Sequence, residues 1–466
     1  MHNKKWLVPT TVAVLLAAIF LPLVYTGYAA IKRGEAEFAA KNYLSAAESF
    51  EQAARLLVWR SDLWEKAGIA AGAGENLSDA ITFLKRSPNL SEQGWLVLGY
   101  SYVNTGDLSS ARKAYQQGLQ FHDSASLYAG LAFIHRQQKD WPAESDALKN
   151  QIRLDAKRGD AYAHYRLGLL LTFLETEQAL PELMLASSLD PETDSAVQTL
   201  RAALNLATTQ ADPSQQLVTI GRTLGLVQEW DLSIAAFEKA ITLNAENAEA
   251  WAWLGEAKQQ TGQDGRVELD RAVSLDHTSA VVRGLRGLYW NRQQRYSQML
   301  AEYLLAAEYE PQNPAWQASI GDAQIKRGDL PAALTAYQKA TELAPNESTY
   351  WRLLAIFCAE NNVYVEDVGL PAAQNAVLFA PDDPDALDAL GWSYLSSGRY
   401  ANAEQTLLDV VDRFPDHLPA HIHLAMTYLA QGNQAAAFTE LTYVRDADAN
   451  GSNGLFARQL LERYYP

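Results

Sequence analysis

Residues 321–345 read Gly-Asp-Ala-Gln-Ile-Lys-Arg-Gly-Asp-Leu-Pro-Ala-Ala-Leu-Thr-Ala-Tyr-Gln-Lys-Ala-Thr-Glu-Leu-Ala-Pro. Measured from Gly321, Ala333 stands at offset 12, Tyr337 at 16, Ala340 at 19 and Pro345 at 24. Two helices joined at Gly328-Asp329 satisfy this pattern. Small residues let the helices approach closely, the ring fills the space between a unit and its neighbour, and the proline stops the second helix because it lacks a backbone donor and clashes one turn back. The same offsets recur in both directions along the chain. Gly34 leads to Ala46, Phe50 and Ala53, Gly221 to Phe237 and Ala240, Gly287 to Tyr303, Ala306 and Pro311, and Gly391 to Ala403 and Pro415. Poorer copies, with small insertions and deletions, centre on Gly68, Gly130, Gly168, Gly255, Trp351 and Ala425. Gly106-Asp107 and Gly262-Gln263 mark further turns, and Pro381 a further helix end.

The most telling copy is Trp95, Leu98, Gly99 and Tyr102 followed by Ala111 and Tyr115; Trp251, Leu254 and Gly255 repeat its opening. This resembles the tetratricopeptide repeat, W-x2-L-G-x2-Y, then A-x3-F, then P over about 34 residues. About 12 units fit between residues 34 and 446. The resemblance, in particular to the bacterial membrane-anchored type, implies an all-α fold: a right-handed superhelical solenoid of helix hairpins whose first helices line a concave face. The register breaks once, where a single helix at about Thr193–Thr208 precedes Ala211-Asp212-Pro213. Leu455, Phe456, Leu460, Leu461 and Tyr464 then repeat at helical spacing, as a capping helix requires. The predicted organisation is an amino-terminal anchor or signal at 1–33, a first sub-array at 34–191, a single-helix break at 192–213, a second sub-array at 214–446 and a cap at 447–466.

Trp6 through Ile31 form 26 residues without a charge, framed by Lys4 and Lys5 before and Lys32 and Arg33 after. About 20 apolar residues cross a bilayer, and Trp6, Tyr25 and Tyr28 lie near the ends, where amphipathic rings prefer the interface. The expectation is a retained single-pass membrane helix with a cytoplasmic amino terminus and an exported body. The competing reading is a cleaved signal, since Gly27-Tyr28-Ala29 offers small residues where a signal peptidase inspects them and would leave a secreted protein.

The formal net charge of −17 and the absence of any basic run longer than Lys32-Arg33 or Lys85-Arg86 exclude nucleic acid as a partner class. No phosphate-binding loop, nucleophile elbow or H-E-x-x-H occurs, so the chain reads as a non-enzyme with no cofactor. Gly68, Gly72 and Gly74 lie on a repeat helix without a preceding strand and do not read as a nucleotide site. His417, His421 and His423 form the only dense histidine group, but prolines 415 and 419 place His417 in a turn and His423 faces away from His421, so no metal site is expected. Cys358, the single cysteine, sits in an apolar helix context and reads as a packing thiol.

The family binds polypeptides in its groove. Carried over by register, groove-facing candidates are Tyr100, Asn104, Tyr162, Tyr165, Glu256, Asp322, Lys326, Arg352, Asp388 and Trp392. Their rings suit anchoring and their charges suit setting register; Tyr162 and Trp392 read equally well as packing between helices. The family's clamp for chaperone tails needs Lys and Asn on one helix, where this chain has Leu96 with Tyr100 and Ala252 with Glu256. The expected function is therefore a membrane-tethered scaffold for another protein in envelope assembly or secretion. The alternative is a carbohydrate-binding or accessory subunit of a polysaccharide machine, which a ring-dense, low-charge groove would favour over a charged one.

Overall fold

A computed structural model describes the backbone of residues 7–155 and 160–466, and side chains at 18, 20–154 and 160–466. Every regular element among these is helical, and the chain divides into two compact units, Met1–Ala236 and Phe237–Pro466. The first contains α1 (Leu7–Ala39), α2 (Tyr43–Leu56), α3 (Asp62–Ala73), α4 (Leu77–Leu84), α5 (Glu92–Asn104), α6 (Leu108–Leu119), α7 (Ala125–Gln137), α8 (Trp141–Asp155), α9 (Ala161–Leu174), α10 (Thr176–Leu189), α11 (Asp194–Thr208) and α12 (Pro213–Leu226). The boundary falls inside α13 (Trp230–Leu243). The second unit continues with α14 (Ala248–Gln260), α15 (Arg266–Leu275), α16 (Ala280–Arg292), α17 (Tyr296–Tyr309), α18 (Pro314–Arg327), α19 (Leu330–Leu343), α20 (Ser348–Glu360), α21 (Leu370–Phe379), α22 (Pro384–Ser396), α23 (Tyr400–Arg413), α24 (Leu418–Gln431), α25 (Gln434–Ala447) and α26 (Ser452–Tyr464).

The α18–α19 hairpin shows why these residues fold this way. A Cβ on Gly321 would sit 2.8 Å from the Tyr337 ring, so only glycine admits that ring between the helices. Ala323, Ala333 and Ala340 are fully buried around it. Gly328 takes φ +80° in the turn, a left-handed conformation that costs side-chain-bearing residues energy. Asp329 then caps α19 by accepting a bond from the Ala332 amide at 3.1 Å. Truncating Tyr337 to alanine would cost about 3–5 kcal/mol, the scale for a buried ring.

A second slot recurs four residues before several of the packing positions. Trp251 Nε1 donates to Ala245 O at 2.9 Å, Trp351 Nε1 to Pro345 O at 2.7 Å and Arg283 Nε to His277 O at 2.9 Å. His421 Nε2 lies 2.9 Å from Pro415 O. Trp, Arg and His share the slot because each carries a ring or guanidinium nitrogen at the reach needed to satisfy a carbonyl in the preceding turn.

The first unit departs from simple stacking around α9, where every residue from Arg166 to Phe173 is buried. Arg166 binds Glu144 of α8 through two bonds of 2.7 and 3.0 Å, reaches Glu229 at 3.2 Å, and lies over the Trp141 ring. Lys139 pairs with Asp231 at 2.7 Å. The starts of α8 and α13 therefore meet, although α9, α10, α11 and α12 intervene in sequence. Helix α11 packs against α10 and α12; it buries Val197, Leu200, Ala203, Leu204 and Ala207 while Leu206 stays exposed. At the far end α26 buries Gly454, Ala457 and Leu461 against α24 and α25, covering the last apolar face.

Helix α1 is continuous from Leu7 to Ala39 despite Pro22. Its carboxyl-terminal part is the first helix of the first hairpin: Ala30 and Ile31 are buried, Gly34 lies against Phe50, and a Cβ on Gly27 would sit 2.6 Å from Leu57. Among the described residues no helix is long and apolar enough to cross a membrane. Much of the uncharged stretch Trp6–Ile31, and with it the expected span, lies outside the described side chains.

Candidate functional site

First helices of successive hairpins lie side by side, and in the first unit the face they form is hollowed across α1, α3 and α5. Two adjoining depressions, of about 310 and 320 Å³, share Phe38, Ile69 and Gln93. Leu96, Val97 and Tyr100 of α5 continue the apolar wall, and an ion pair from Lys66 to Glu35 at 2.9 Å closes one rim. Tyr100 is 54% exposed, and the side chain of Asn104 is tied back to the Tyr100 carbonyl at 2.9 Å.

Farther along, Phe133 on α7 is exposed and occupies the register position of Tyr100. Tyr162 on α9 is also exposed, and its hydroxyl is hydrogen-bonded by Arg136 of α7. Tyr165 is half-buried, and burial followed by the nearby Glu229 carboxylate pushes its phenol above the usual range. Of the four candidates in this unit, Tyr100 alone lines the hollow, Asn104 and Tyr162 are exposed beside it on the same helix row, and Tyr165 belongs to the packing near Arg166.

The second unit treats its candidates differently. Glu256 is buried and takes both Arg292 nitrogens at 2.5 and 2.6 Å, plus Gln260 at 2.8 Å. Asp388 is buried against His423 at 2.7 Å, and Trp392 stacks on the same imidazole with centroids 4.4 Å apart. Arg352 binds Asp385, which also meets His417 at 3.0 Å. Asp322 accepts from the Tyr337 hydroxyl, and exposed Lys326 lies in its field. Glu256, Asp388 and Arg352 hold one hairpin to the next, Asp322 is bound within its own hairpin, and Lys326 is exposed.

Each histidine of the 417–423 group faces its own partner: Asp385, Glu440 at 2.6 Å for His421, and Asp388. Among the described residues no group of three His, Cys, Asp or Glu side chains is arranged to hold a metal ion. Cys358 is fully buried, and burial pushes its thiol up to about 12. Sequence reasoning did not single out Phe38, Ile69, Leu96 or Phe133 as surface residues. The signal was present in the slot immediately after each packing residue, which holds Ile69 after Gly68 and Tyr100 after Gly99. For α7 the glycine misled: Gly130 meets Tyr115 of the preceding hairpin, and Ala132, eight residues after the cap Ser124, is the packing residue that sets Phe133.

Comparison with known proteins gives the same repeat. Family models described as tetratricopeptide repeats match residues 92–121, 292–348, 318–370 and 389–452. Superkiller complex protein 3 of Homo sapiens is 24% identical over 283 residues, 55% of this chain and 16% of that protein. Tetratricopeptide repeat protein 37 of Xenopus laevis is 22% identical over 363 residues, 74% of this chain and 22% of that protein. The chain thus spans less than a quarter of the length of these relatives. The crystal structure of yeast Tom70 aligns over 94% of this chain and 95% of its own at 15% identity, with a TM-score of 0.43. The chain carries tetratricopeptide repeats, built as helix hairpins in both of its units.

Proposed function

We propose that this protein is a non-catalytic scaffold that holds a polypeptide partner on the first-helix face of its first unit, tethered to a membrane by α1. The observation that carries the reading is the contiguous hollow of Phe38, Ile69, Leu96, Val97 and Tyr100. It is apolar and open above side chains that also pack on the core, Phe38, Ile69 and Val97, and it matches the anchor-in-pocket arrangement that dominates protein recognition. Fold alone assigns no partner; the apolar lining favours aliphatic or aromatic side chains on an extended or helical segment. Tethering would put this face to work in complex assembly or secretion at the cell envelope, with the repeats on the exported side. Retention of α1 is favoured over cleavage by packing, because a cut after Ala29 would strip Val24 and Gly27 from Leu57 and leave buried Ala30 at the new terminus.

Exposed rings at Tyr100, Phe133 and Tyr162 favour a second reading, the stacking of a carbohydrate chain. Sugars, however, need several free hydrogen-bonding groups beside each ring, whereas here Ile69, Leu96 and Val97 make up most of the floor and Lys66 and Glu35 are paired to each other at the rim. The test begins with purification of the full chain in mild detergent and identification of the co-purifying polypeptide by mass spectrometry. Leu96→Asp, which places a carboxylate in the hollow, then reduces affinity for that polypeptide more than tenfold. Unchanged affinity, or binding of oligosaccharide in its place, overturns the reading.

A further inference from the structure

We propose that the α2–α3 turn is a second membrane contact, in which Val58 and Trp59 join Tyr25 and Tyr28 of α1 in bedding the first hairpin into the headgroup layer of a lipid bilayer. The inference rests on α1 being an inserted helix and adds a surface to it. Leu57 locks the turn to α1: it is fully buried, it packs with Val24, and its side chain fills the space above Gly27. The next two residues turn outward, Val58 77% and Trp59 52% exposed. Beside them on α1, Tyr25 and Tyr28 are exposed as well. Four apolar or ring side chains therefore face water at one level of one helix.

Nothing in the repeat demands this. Three of the turns at the corresponding place in the second unit read Glu310-Pro311-Gln312-Asn313, Ala344-Pro345-Asn346-Glu347 and Ala380-Pro381-Asp382-Asp383. Those are polar turns of the usual kind; Leu57-Val58-Trp59-Arg60 is not. The level is also the right one. From Leu7 to Val24, a helix rising about 1.5 Å per residue covers about 27 Å, close to the roughly 30 Å of a hydrocarbon core. A span beginning at Leu7 ends beside Trp59, where tryptophan and tyrosine rings gain most from the interface. Arg60 is neutralised by both oxygens of Asp62 at 2.8 Å, so the rings rather than charge supply the attraction, and zwitterionic lipid suffices.

The experiment uses the full chain in phosphatidylcholine nanodiscs, with Cys358→Ser as background and a nitroxide attached at Val58→Cys, Ala18→Cys or Asn346→Cys in turn. The expected result is that the position-58 label loses most of its collisions with a water-soluble nickel chelate and gains collisions with oxygen, that the position-18 label lies deeper still, and that the position-346 label stays aqueous. A deep position-18 label with an aqueous position-58 label overturns the turn contact while leaving the anchor standing. Aqueous labels at both positions overturn the anchor and the contact together. Dipolar broadening at position 58 without oxygen access assigns the patch to a second copy of the chain and also overturns the proposal.

Discussion

On α5 the slot after the packing glycine holds Tyr100, more than half in water; on α22 the same slot holds Trp392, stacked on His423. Two neighbours decide the difference. Where α22 has Asp388, α5 has Leu96, and where the next first helix in the second unit offers His423, α7 offers Gly130. Asp388 orients the imidazole and the imidazole covers the indole, so the slot is consumed by the fold. Leu96 and Gly130 offer no such stacking partner, so Tyr100 stays exposed. A repeat slot therefore fixes where a side chain stands, and the residues four before it and one helix onward fix whether it is free.

The largest effect that tests this contrast lies beneath the first unit's face. Arg166→Ala leaves Glu144 buried without its counter-ion, which costs about 3–5 kcal/mol. Unfolding of the first unit, followed by hydrogen exchange of α8 and α9, should shift strongly while exchange in α22–α25 does not. Equal loss in both would show that the units do not differ in this way. Next, Tyr100→Ala should weaken partner binding by about 2 kcal/mol, roughly thirtyfold, with an unchanged melting temperature. Trp392→Ala should do the reverse: about 1 kcal/mol of stability lost with its stacked pair and unchanged affinity by titration calorimetry. A fall in affinity there would put the second unit's face back among the binding surfaces.

Smaller effects sharpen the picture of the second unit as internally paired. Burial pushes the Asp385 carboxyl up, but the His417 bond and the Arg352 guanidinium outweigh it and hold the group below the usual carboxylate range. A depressed folded value stabilises above the unfolded value of about 3.9 and is lost as pH falls through the folded one. Asp385→Asn should thus lower stability at neutrality, where the contribution it removes is fully present, and flatten the acid limb of the stability curve below about pH 4. Least of all, Cys358, held near 12 by burial, should stay unalkylated at pH 8 in the folded chain and react once it unfolds, as mass spectrometry of iodoacetamide-treated protein will show.

The hairpins were legible in the sequence because each rests on a local pair: Gly34 under Phe50, Gly321 under Tyr337, Gly391 under Leu407. Such pairs sit a fixed distance apart in the chain, so spacing alone reveals them. The site was legible only in part. Register put Tyr100 on an exposed slot, where it stands, but it treated Glu256 and Asp388 alike and left Trp392 as readily packed as open, because their partners Arg292 and His423 lie more than 30 residues away, on another helix. Arg166 is the sharpest case. Its partners Glu144 and Glu229 lie 22 and 63 residues away, and the only hint was the uncharged run Leu167–Phe173, interrupted only by Thr172, a helix with little polar face to give to solvent. Charge pairing across helices carries no period and leaves no local mark.

The most direct measurement places a benzophenone side chain at position 100 or at position 392 of the full chain and irradiates it in intact membranes. The account predicts a protease-sensitive polypeptide adduct at 100, with the same partner recovered from positions 69 and 96, and none at 392. Adducts at 392 alone, or none at 69, 96 and 100, would contradict it.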